Sequence, residues 1–586
     1  MTEEKAKSTK PHEHTRLGEV ASTAICGNDI LSSVLYVSGI AIGVAGVFAP
    51  LILLVIGLVL LLYKGVYREV VESLPVNGGA YNALLNGTSK KVAATAGVLT
   101  ILSYVATCVI SGKTAVEYVH TLIDLPVIPV TIVVLGIFAA LVISGVKDSA
   151  KVAMGIFFLH LITLVSFVVL GVWYLLHNPT QFQLNWASTQ DLMNVQPLGM
   201  IIFLGFSASL LGVSGFESSA NFVEEQQPGV FKKTLRNMTI GVVLFNPLVA
   251  LICLGLSTTT QIHQFADFLL ADEAKIVGGN IFQYIVVVDA FLVLCGAVLT
   301  GFIGVSGLIQ RMALDEALPL WFFKVNKKGS YPRIILVFFI FCVSILIMTG
   351  GKLSSLGGVY AISFLAVMSM FGLGNVILKV TRPDLKRQYK FPIIFVLLAF
   401  LATFLGLIGN IVLDVQNLIY FGIYFLPAIA FVRLYMARDY LIIAMERISK
   451  RSPLLNKIIR VIFKDFTKGK YIAFIHRPDR LYSVLKYIDN NETGRNAIIV
   501  HCKDTDDEIN DAVWKELNEA VPLLPKVGVF QHLKLELQQI DQKFGADAIN
   551  YASKKFGIPK NRIFIGTIHG HHNFAYEDLG GVRIVV

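Results

Sequence analysis

Charge is what this sequence has least of. Asp, Glu, Lys and Arg make up 15% of its 586 residues, against 55% hydrophobic, and mean hydropathy is +0.66. Soluble domains carry about 25% charged residues, so an ordinary soluble enzyme is excluded. Cysteine is sparse too. Five of the six (Cys26, Cys108, Cys253, Cys295, Cys342) lie in or beside apolar runs, Cys502 lies apart, and no CxxC pair occurs. That spacing offers neither a disulfide framework nor a zinc site, and they read as small buried hydrophobes. There is no GxGxxG or GxxxxGK[ST] loop for phosphates. No short apolar core with a small-residue cleavage site follows the polar stretch Met1 to Arg16, so the first apolar span is expected to insert itself.

What the chain has instead is apolar runs of bilayer length from its start to beyond residue 430. Hydropathy and breaker residues place roughly twelve spans, near 18–42, 44–66, 93–121, 126–145, 151–177, 197–223, 237–259, 277–308, 333–350, 355–380, 391–412 and 415–437. The basic residues fall on alternate loops: Lys90 and Lys91, Lys147 and Lys151, Lys232, Lys233 and Arg236, Arg311 with Lys324, Lys327 and Lys328, and Arg382 with Lys386, Arg387 and Lys390. The loop from His177 to Asn194 has no Lys or Arg. By the positive-inside rule both termini are cytoplasmic, and the chain is a multi-pass protein of the inner or plasma membrane. The same topology accounts for the net charge of +10, so no nucleic-acid partner is expected.

Four segments follow: a cytoplasmic tail at 1–16, a transmembrane transporter domain at 17–437, an amphipathic basic linker at 438–469 suited to anionic headgroups, and a cytosolic α/β domain at 470–586. In the last, the apolar runs YIAFI (471–475), AIIV (497–500), KLELQQI (534–540), RIFIGTI (562–568) and VRIVV (582–586) alternate with helical patterns near 477–488, 507–522 and 544–556. The cluster His569, His571 and His572 has poor metal-ligand spacing and reads as a solvated loop.

Within the first span, the stretch GNDILSS places Asp29 beside Gly27, Asn28, Ser32 and Ser33 in an apolar run. A carboxylate at membrane depth is costly, so its default reading is functional. The sixth span echoes it with GVSGFESSANF, again Gly, one acid and a Ser pair. An offset of five spans turns the second copy upside-down, the pattern of inverted repeats whose broken helices meet at a midplane site. Irregular packing through small polar residues would leave the same trace. If the first helix unwinds around Gly27 to Leu31, carbonyls, the Asp29 carboxylate and the hydroxyls of Ser32, Ser33 and Tyr36 face one cavity. Such oxygens suit a dehydrated monovalent cation.

In the third span Tyr104, Thr107 and Ser111 stand at i, i+3 and i+7, one helix face; hydroxyls bonded back to their own helix are the bland alternative. Lys113 either snorkels or pairs with Glu117 one turn on. Ser214 and Glu217 are again i and i+3. Glu217 would carry a coupling proton or, alternatively, tie the helix break to backbone amides. Tyr360, in the tenth span, would close one side or simply pack.

The stretches ESLPVNGGAY (72–81), GVKDSAKV (145–152), GFESSANFVEEQQPG (215–229), QRMALDEALPLWF (310–322) and RPDLKRQYKFP (382–392) together resemble the amino acid–polyamine–organocation (APC) superfamily. That likeness implies an inverted-repeat (5+5) fold with broken helices 1 and 6 and two further helices: a polytopic all-α membrane protein with a C-terminal α/β domain. DILSSVLY (29–36) is similar to the first-helix motif of the KUP/HAK/KT potassium uptake family, and nearer still to its bacterial potassium importer A branch. The branch resemblance implies that Asp29, Tyr36, Thr107, Ser111 and Ser214 bind potassium, that Glu217 couples the proton and that Tyr104 and Tyr360 gate. It also implies a homodimer through the cytosolic domain. Ser at 214 where the branch has Thr, and Lys113, depart from its pattern. The expectation is therefore a proton-coupled potassium importer: no enzyme, no cofactor, its partners the potassium ion, the proton and the lipid bilayer, with a small regulatory ligand on the cytosolic domain. A proton-coupled amino-acid or amine permease of the same superfamily, with Asp29 holding an ammonium, is the alternative; a transporter-like sensor with a cytosolic output domain is the third.

Overall fold

The structure, a computed structural model, describes residues 16–74, 77–145, 150–221, 223–383, 385, 387–438, 470–492, 496–503, 508–526, 530, 533–566 and 581–585. The expected tail, nearly all of the basic linker, and His569, His571 and His572 lie outside the described residues.

Sixteen α-helices make up the first part: α1 Glu19–Ser32, α2 Val34–Ala45, α3 Ala49–Ser73, α4 Gly79–Gly87, α5 Lys90–His120, α6 Val127–Ile143, α7 Ala150–His177, α8 Gln181–Val195, α9 Leu198–Ser209, α10 Phe231–Leu256, α11 Thr259–Gln264, α12 Leu269–Leu314, α13 Pro332–Met348, α14 Leu353–Thr381, α15 Ile393–Leu413 and α16 Val415–Met436. Nine described helical stretches are long and apolar enough to cross a membrane. The first of them, Glu19–Ser73, holds two passes, because Gly46 has φ +55° and ends α2. The shorter apolar helices α6 and α13, about 26 Å each at 1.5 Å per residue, bring the passes to twelve, as expected. Gly279, φ +69°, bends α12 so that its first turns lie apart from the eighth pass.

Which faces are apolar tells what each helix touches. On α3 the large side chains of Leu51, Leu54, Val55, Leu58 and Leu61 are exposed at helical spacing, a lipid-facing stripe. α5 instead packs against α4, α6, α12, α13, α14 and α16 and is buried nearly throughout. It reaches α12 closely because Gly301 and Gly304 lack side chains: a Cβ on either would fall 2.5 Å from the Cys108 sulfur or 2.8 Å from the Tyr104 ring. Small residues serve this purpose in lipid, where helices have no hydrophobic drive to associate.

The second part is an α/β domain with a five-stranded sheet. Its strands are β1 Lys470–Phe474, β2 Asn496–Cys502, β3 Lys534–Ile540, β4 Ile563–Gly566 and β5 Arg583–Val585, with α17 Leu481–Asn491, α18 Glu508–Lys526 and α19 Ala546–Phe556 between them. All pairings are parallel, in the order β3-β2-β1-β4-β5. β1 and β2 are buried almost throughout, as parallel strands covered on both faces must be.

A buried ion network fastens this domain to the helices. Arg583, at the start of β5, pairs with Glu492 beyond α17, donates to the Leu314 carbonyl at 3.1 Å and lies 3.8 Å from Asp315. Glu316 receives Arg562 at 2.8 Å and Arg438 at 2.9 Å. Lys90, at the start of α5, joins Glu492 at 3.2 Å, and its amide donates to Asn491 at 2.7 Å. Apart from Arg438, which follows α16, the groups on the sheet side lie at the amino-terminal ends of β2, β4 and β5. Burial alone would raise the Glu316 carboxyl, but Arg583, Arg562 and Lys90 outweigh it and hold the group at about 2, below its ordinary 4.5.

Removing one partner of a buried ion pair costs roughly 3–5 kcal/mol, because the other charge stays buried. Arg583→Ala is therefore expected to lower the melting temperature and to speed tryptic release of a C-terminal fragment, with part of the loss recovered in Arg583→Ala/Glu492→Gln. A depressed pKa adds stability above the ordinary value and loses it on acidification. The gap in melting temperature between wild type and Glu316→Gln should then be full above pH 4.5 and close as the pH falls to about 2.

Candidate functional site

The first pass is interrupted later than expected. α1 runs without a break through Gly27 to Ser32, and the interruption is no more than a tightened turn at Ser33, whose dihedrals stay helical at φ −62° and ψ −25°, which corrects the unwinding placed at Gly27 to Leu31. The hydroxyls of Ser32 and Ser33 donate to the carbonyls of Asp29 and Ile30 at 2.7 and 2.6 Å. They compete there with the regular amide ladder, an effect that bends helices, and the turn tightens, with Ser33 N bonding to Ile30 O. Gly27 serves packing instead: a Cβ there would lie 2.5 Å from the Phe157 ring.

The sixth pass is interrupted where the sequence places it. α9 passes into 3-10 turns at Leu210–Val213 and Phe216–Asn221, with Ser214 extended between them and Gly215 at φ +86°. A left-handed conformation favours glycine, and here glycine has a second use. A Cβ on Gly215 would sit 2.9 Å from the Asp29 carboxyl carbon. The two interruptions therefore meet at Asp29, and Ser33 crosses between them, its single hydroxyl proton shared between the Ile30 carbonyl at 2.6 Å and the Gly212 carbonyl at 3.1 Å.

Around this junction the structure gathers most of the expected residues. Tyr36, from α2, and Tyr360, from α14, both reach the Ser214 hydroxyl, and both lie within electrostatic range of Asp29 and Glu217. The Glu217 carboxylate takes the backbone amides of Gly215 and of its own residue and feels the charge of Asp29. Its second oxygen has no hydrogen-bond partner among the described residues. Tyr104, on α5, lies in range of both acids and receives the amide of Asn221. Ser111 is buried and its hydroxyl has no described partner. Thr107 is less available, because its hydroxyl donates to the Ser103 carbonyl at 2.9 Å. Ser32 and Ser33 likewise spend their protons on backbone, leaving their oxygens as acceptors only.

Three contributors were not anticipated. Asn221 holds Tyr104, Asn246 donates to Gly212 O at 2.9 Å, and Tyr67 lies edge-on to Phe216 at 5.4 Å. Asn221 closes the motif SSAN, so a search for amides beside the acid would have found it; Tyr67 carries no such signal. Lys113 takes the pairing alternative, 2.9 Å from Glu117, and adds Asp267 on the segment between α11 and α12. That segment lies against the middle of α2, where a Cβ on Gly39 would come 2.9 Å from the Ala266 backbone.

Residues 17–430 match the family model described as amino acid permease. The chain is 22% identical over 363 residues to the potassium transporter KimA of Bacillus subtilis, an alignment covering 59% of each protein. It is 24% identical over 330 residues to the inner membrane transport protein YbaT of Escherichia coli, covering 53% of this chain and 72% of that one. The chain thus spans about six tenths of the length of the first relative.

Gly215→Ala puts a side chain where both the backbone and Asp29 forbid it. The strain is worth about 1–3 kcal/mol, so a clear fall in melting temperature is expected. Gly199→Ala, which meets nothing within 4 Å, should stay within about 0.5 kcal/mol of wild type.

Proposed function

Because the chain belongs to the amino acid permease family, we propose that it is a proton-coupled potassium importer working by alternating access. The observation that carries this reading is the placement of two carboxylates, Asp29 and Glu217, in each other's electrostatic range at the junction of two broken passes. Like charges this close and this poorly solvated favour a state in which a positive charge sits between them or one carries a proton. A potassium ion beside Asp29 and a proton on Glu217 meet that demand together. The oxygens of Tyr36, Ser111, Ser214 and the Asp29 carboxylate are of the type that replaces the water shell of a potassium ion. Thr107, Ser32 and Ser33 complete the set through the second lone pair of each hydroxyl.

In the cycle proposed, ion and proton enter from outside, the broken passes rock against α5 and its neighbours, and both are released to the cytoplasm, where the basic loops and both termini lie. Tyr104 and Tyr360 close the two sides of the site. A membrane potential of about 100 mV contributes ~2.3 kcal/mol per charge, which does not by itself sustain a steep gradient, and the proton supplies the rest. The printed name of one relative, a potassium transporter, supports the choice of ion. A second reading is favoured by the family model itself: an amino-acid or amine permease in which Asp29 holds a substrate ammonium.

Proteoliposomes with an imposed pH gradient separate the two. Rubidium, as a potassium probe, should accumulate when the outside is acidic. Asp29→Asn should lower uptake by roughly tenfold or more, the equivalent of about 1.4 kcal/mol. Glu217→Gln should retain rubidium exchange at equal pH and lose accumulation driven by the proton gradient. Uptake of labelled amino acids or amines without rubidium uptake would replace this reading by the second.

A further inference from the structure

Two ionisable side chains deep among the helices take no part in the site above. His160, on α7, and Asp289, on α12, are fully buried, with Nδ1 of the ring 2.7 Å from the Asp289 carboxylate. The other ring nitrogen, Nε2, lies 3.4 Å from the Leu31 carbonyl. Leu31 sits two residues before Ser33, where the first pass is interrupted. The ring thus links three passes, the first, fifth and eighth.

Both of its nitrogens face acceptors. A neutral imidazole has one N–H and can serve one of them; the other contact would set a nitrogen lone pair against an oxygen lone pair. Making both contacts hydrogen bonds takes one more proton. It resides either on the ring, as imidazolium beside carboxylate, or on Asp289, donating to Nδ1 while Nε2–H serves Leu31. Each arrangement is neutral overall. Without that proton the pair would carry a net negative charge in a setting that penalises it, and the second Asp289 oxygen already lacks a described hydrogen-bond partner.

Among the described residues the surroundings show no cation paired with Asp289 other than His160. α7 packs against α1, α10 and α12. Besides Asp289, the ionisable groups of α12 beyond its bend are Tyr284, Cys295 and, at its far end, Arg311, which pairs with Asp315. α1 brings Glu19, Cys26 and Asp29; α10 brings Lys232, Lys233 and Arg236 at one end and Cys253 near the other. Lys233 and Arg236 pair with Glu19. α7 itself adds Lys151 and His177 at its two ends. From α5, Tyr118 lies within range of Asp289 and donates its hydroxyl to Leu35 O at 2.9 Å, while the buried Lys113 pairs with Glu117 and Asp267.

We propose that His160 and Asp289 form a second proton-binding site, whose proton latches the interruption of the first pass onto the fifth and eighth passes. When the proton leaves, Nε2 presents a lone pair to the Leu31 carbonyl, the contact turns repulsive, and the first pass is released to move. The proton count rests on geometry alone; its consequence for uptake rests on the alternating-access reading above.

Two measurements test it. The first is nitrogen NMR and infrared spectroscopy on histidine-labelled full-length protein in lipid nanodiscs at neutral pH, comparing wild type with His160→Gln and Asp289→Asn. An imidazolium lost in His160→Gln, or a protonated-carboxyl stretch lost in Asp289→Asn, supports the site. A neutral ring together with no such stretch overturns it, whether or not the protein transports rubidium. The second is rubidium uptake against pH. His160→Gln keeps a donor for Leu31 but cannot titrate, so the pH dependence of its maximal rate should shrink about tenfold while KM stays within about twofold. Equal loss at every pH would mark a structural role and overturn the latch. Asp289→Asn, close to isosteric, gives the same readouts if His160→Gln does not fold.

Discussion

A helix interrupted at membrane depth leaves backbone groups that lipid cannot satisfy, and the middle of this protein is arranged around meeting that demand. Gly212, where the sixth pass loosens, has its carbonyl taken by Ser33 from the first pass and Asn246 from the seventh. Leu35, just past the first interruption, gives its carbonyl to Tyr118. Ser32, Ser33, Ser218 and Ser219 each bond back one turn. The small polar residues that look scattered in the sequence are the partners of the two interruptions. With them in place the passes meet closely enough for Gly215 to lie on the Asp29 carboxylate.

This explains what the sequence could and could not tell. The twelve passes are legible because hydropathy and bilayer thickness are both one-dimensional properties. Most helix ends fall within about three residues of the expected ones, while α3, α10 and α12 run about six to eight residues beyond them at one end or both. The sixth interruption is legible because a glycine at φ +86° has few substitutes. The first is not, since Gly27 and Ser33 are equally plausible breakers, and only the Phe157 ring against Gly27 decides for packing. Tyr104, Thr107 and Ser111 share one face of α5 by their spacing. Thr107 spends its proton one turn back on Ser103, a local choice that spacing does not distinguish from an inward hydroxyl.

The stretches that carry the family resemblance tie loops together at a distance from the junction. Asn77, in ESLPVNGGAY, exchanges hydrogen bonds with Glu224, in GFESSANFVEEQQPG, at 3.0 and 3.1 Å. Arg311 and Asp315, in QRMALDEALPLWF, pair with each other at 3.2 Å, and Tyr81 joins them at 3.0 Å. Arg387, in RPDLKRQYKFP, shares Glu69 with Lys379. A resemblance built on such ties speaks for the fold. It says little of the cargo, which in the reading proposed above is set by side chains facing Asp29.

The same ties put the C-terminal domain in mechanical contact with the helices. Asp315 and Glu316 follow α12 directly, and α12 carries Asp289 toward the first interruption and Gly304 against Tyr104. Arg583 holds Leu314, Asp315 and Glu492 from the sheet. These partners are 91 to 269 residues apart in the chain, so no local pattern announces them. α12 is held at its end through the Arg583 contact with Leu314, and through Asp289 it meets the His160 ring that touches Leu31 of the first pass, so a shift of α12 would register at both. In the cycle proposed, the coupling between sheet and junction runs along α12 and through the His160 ring on α7.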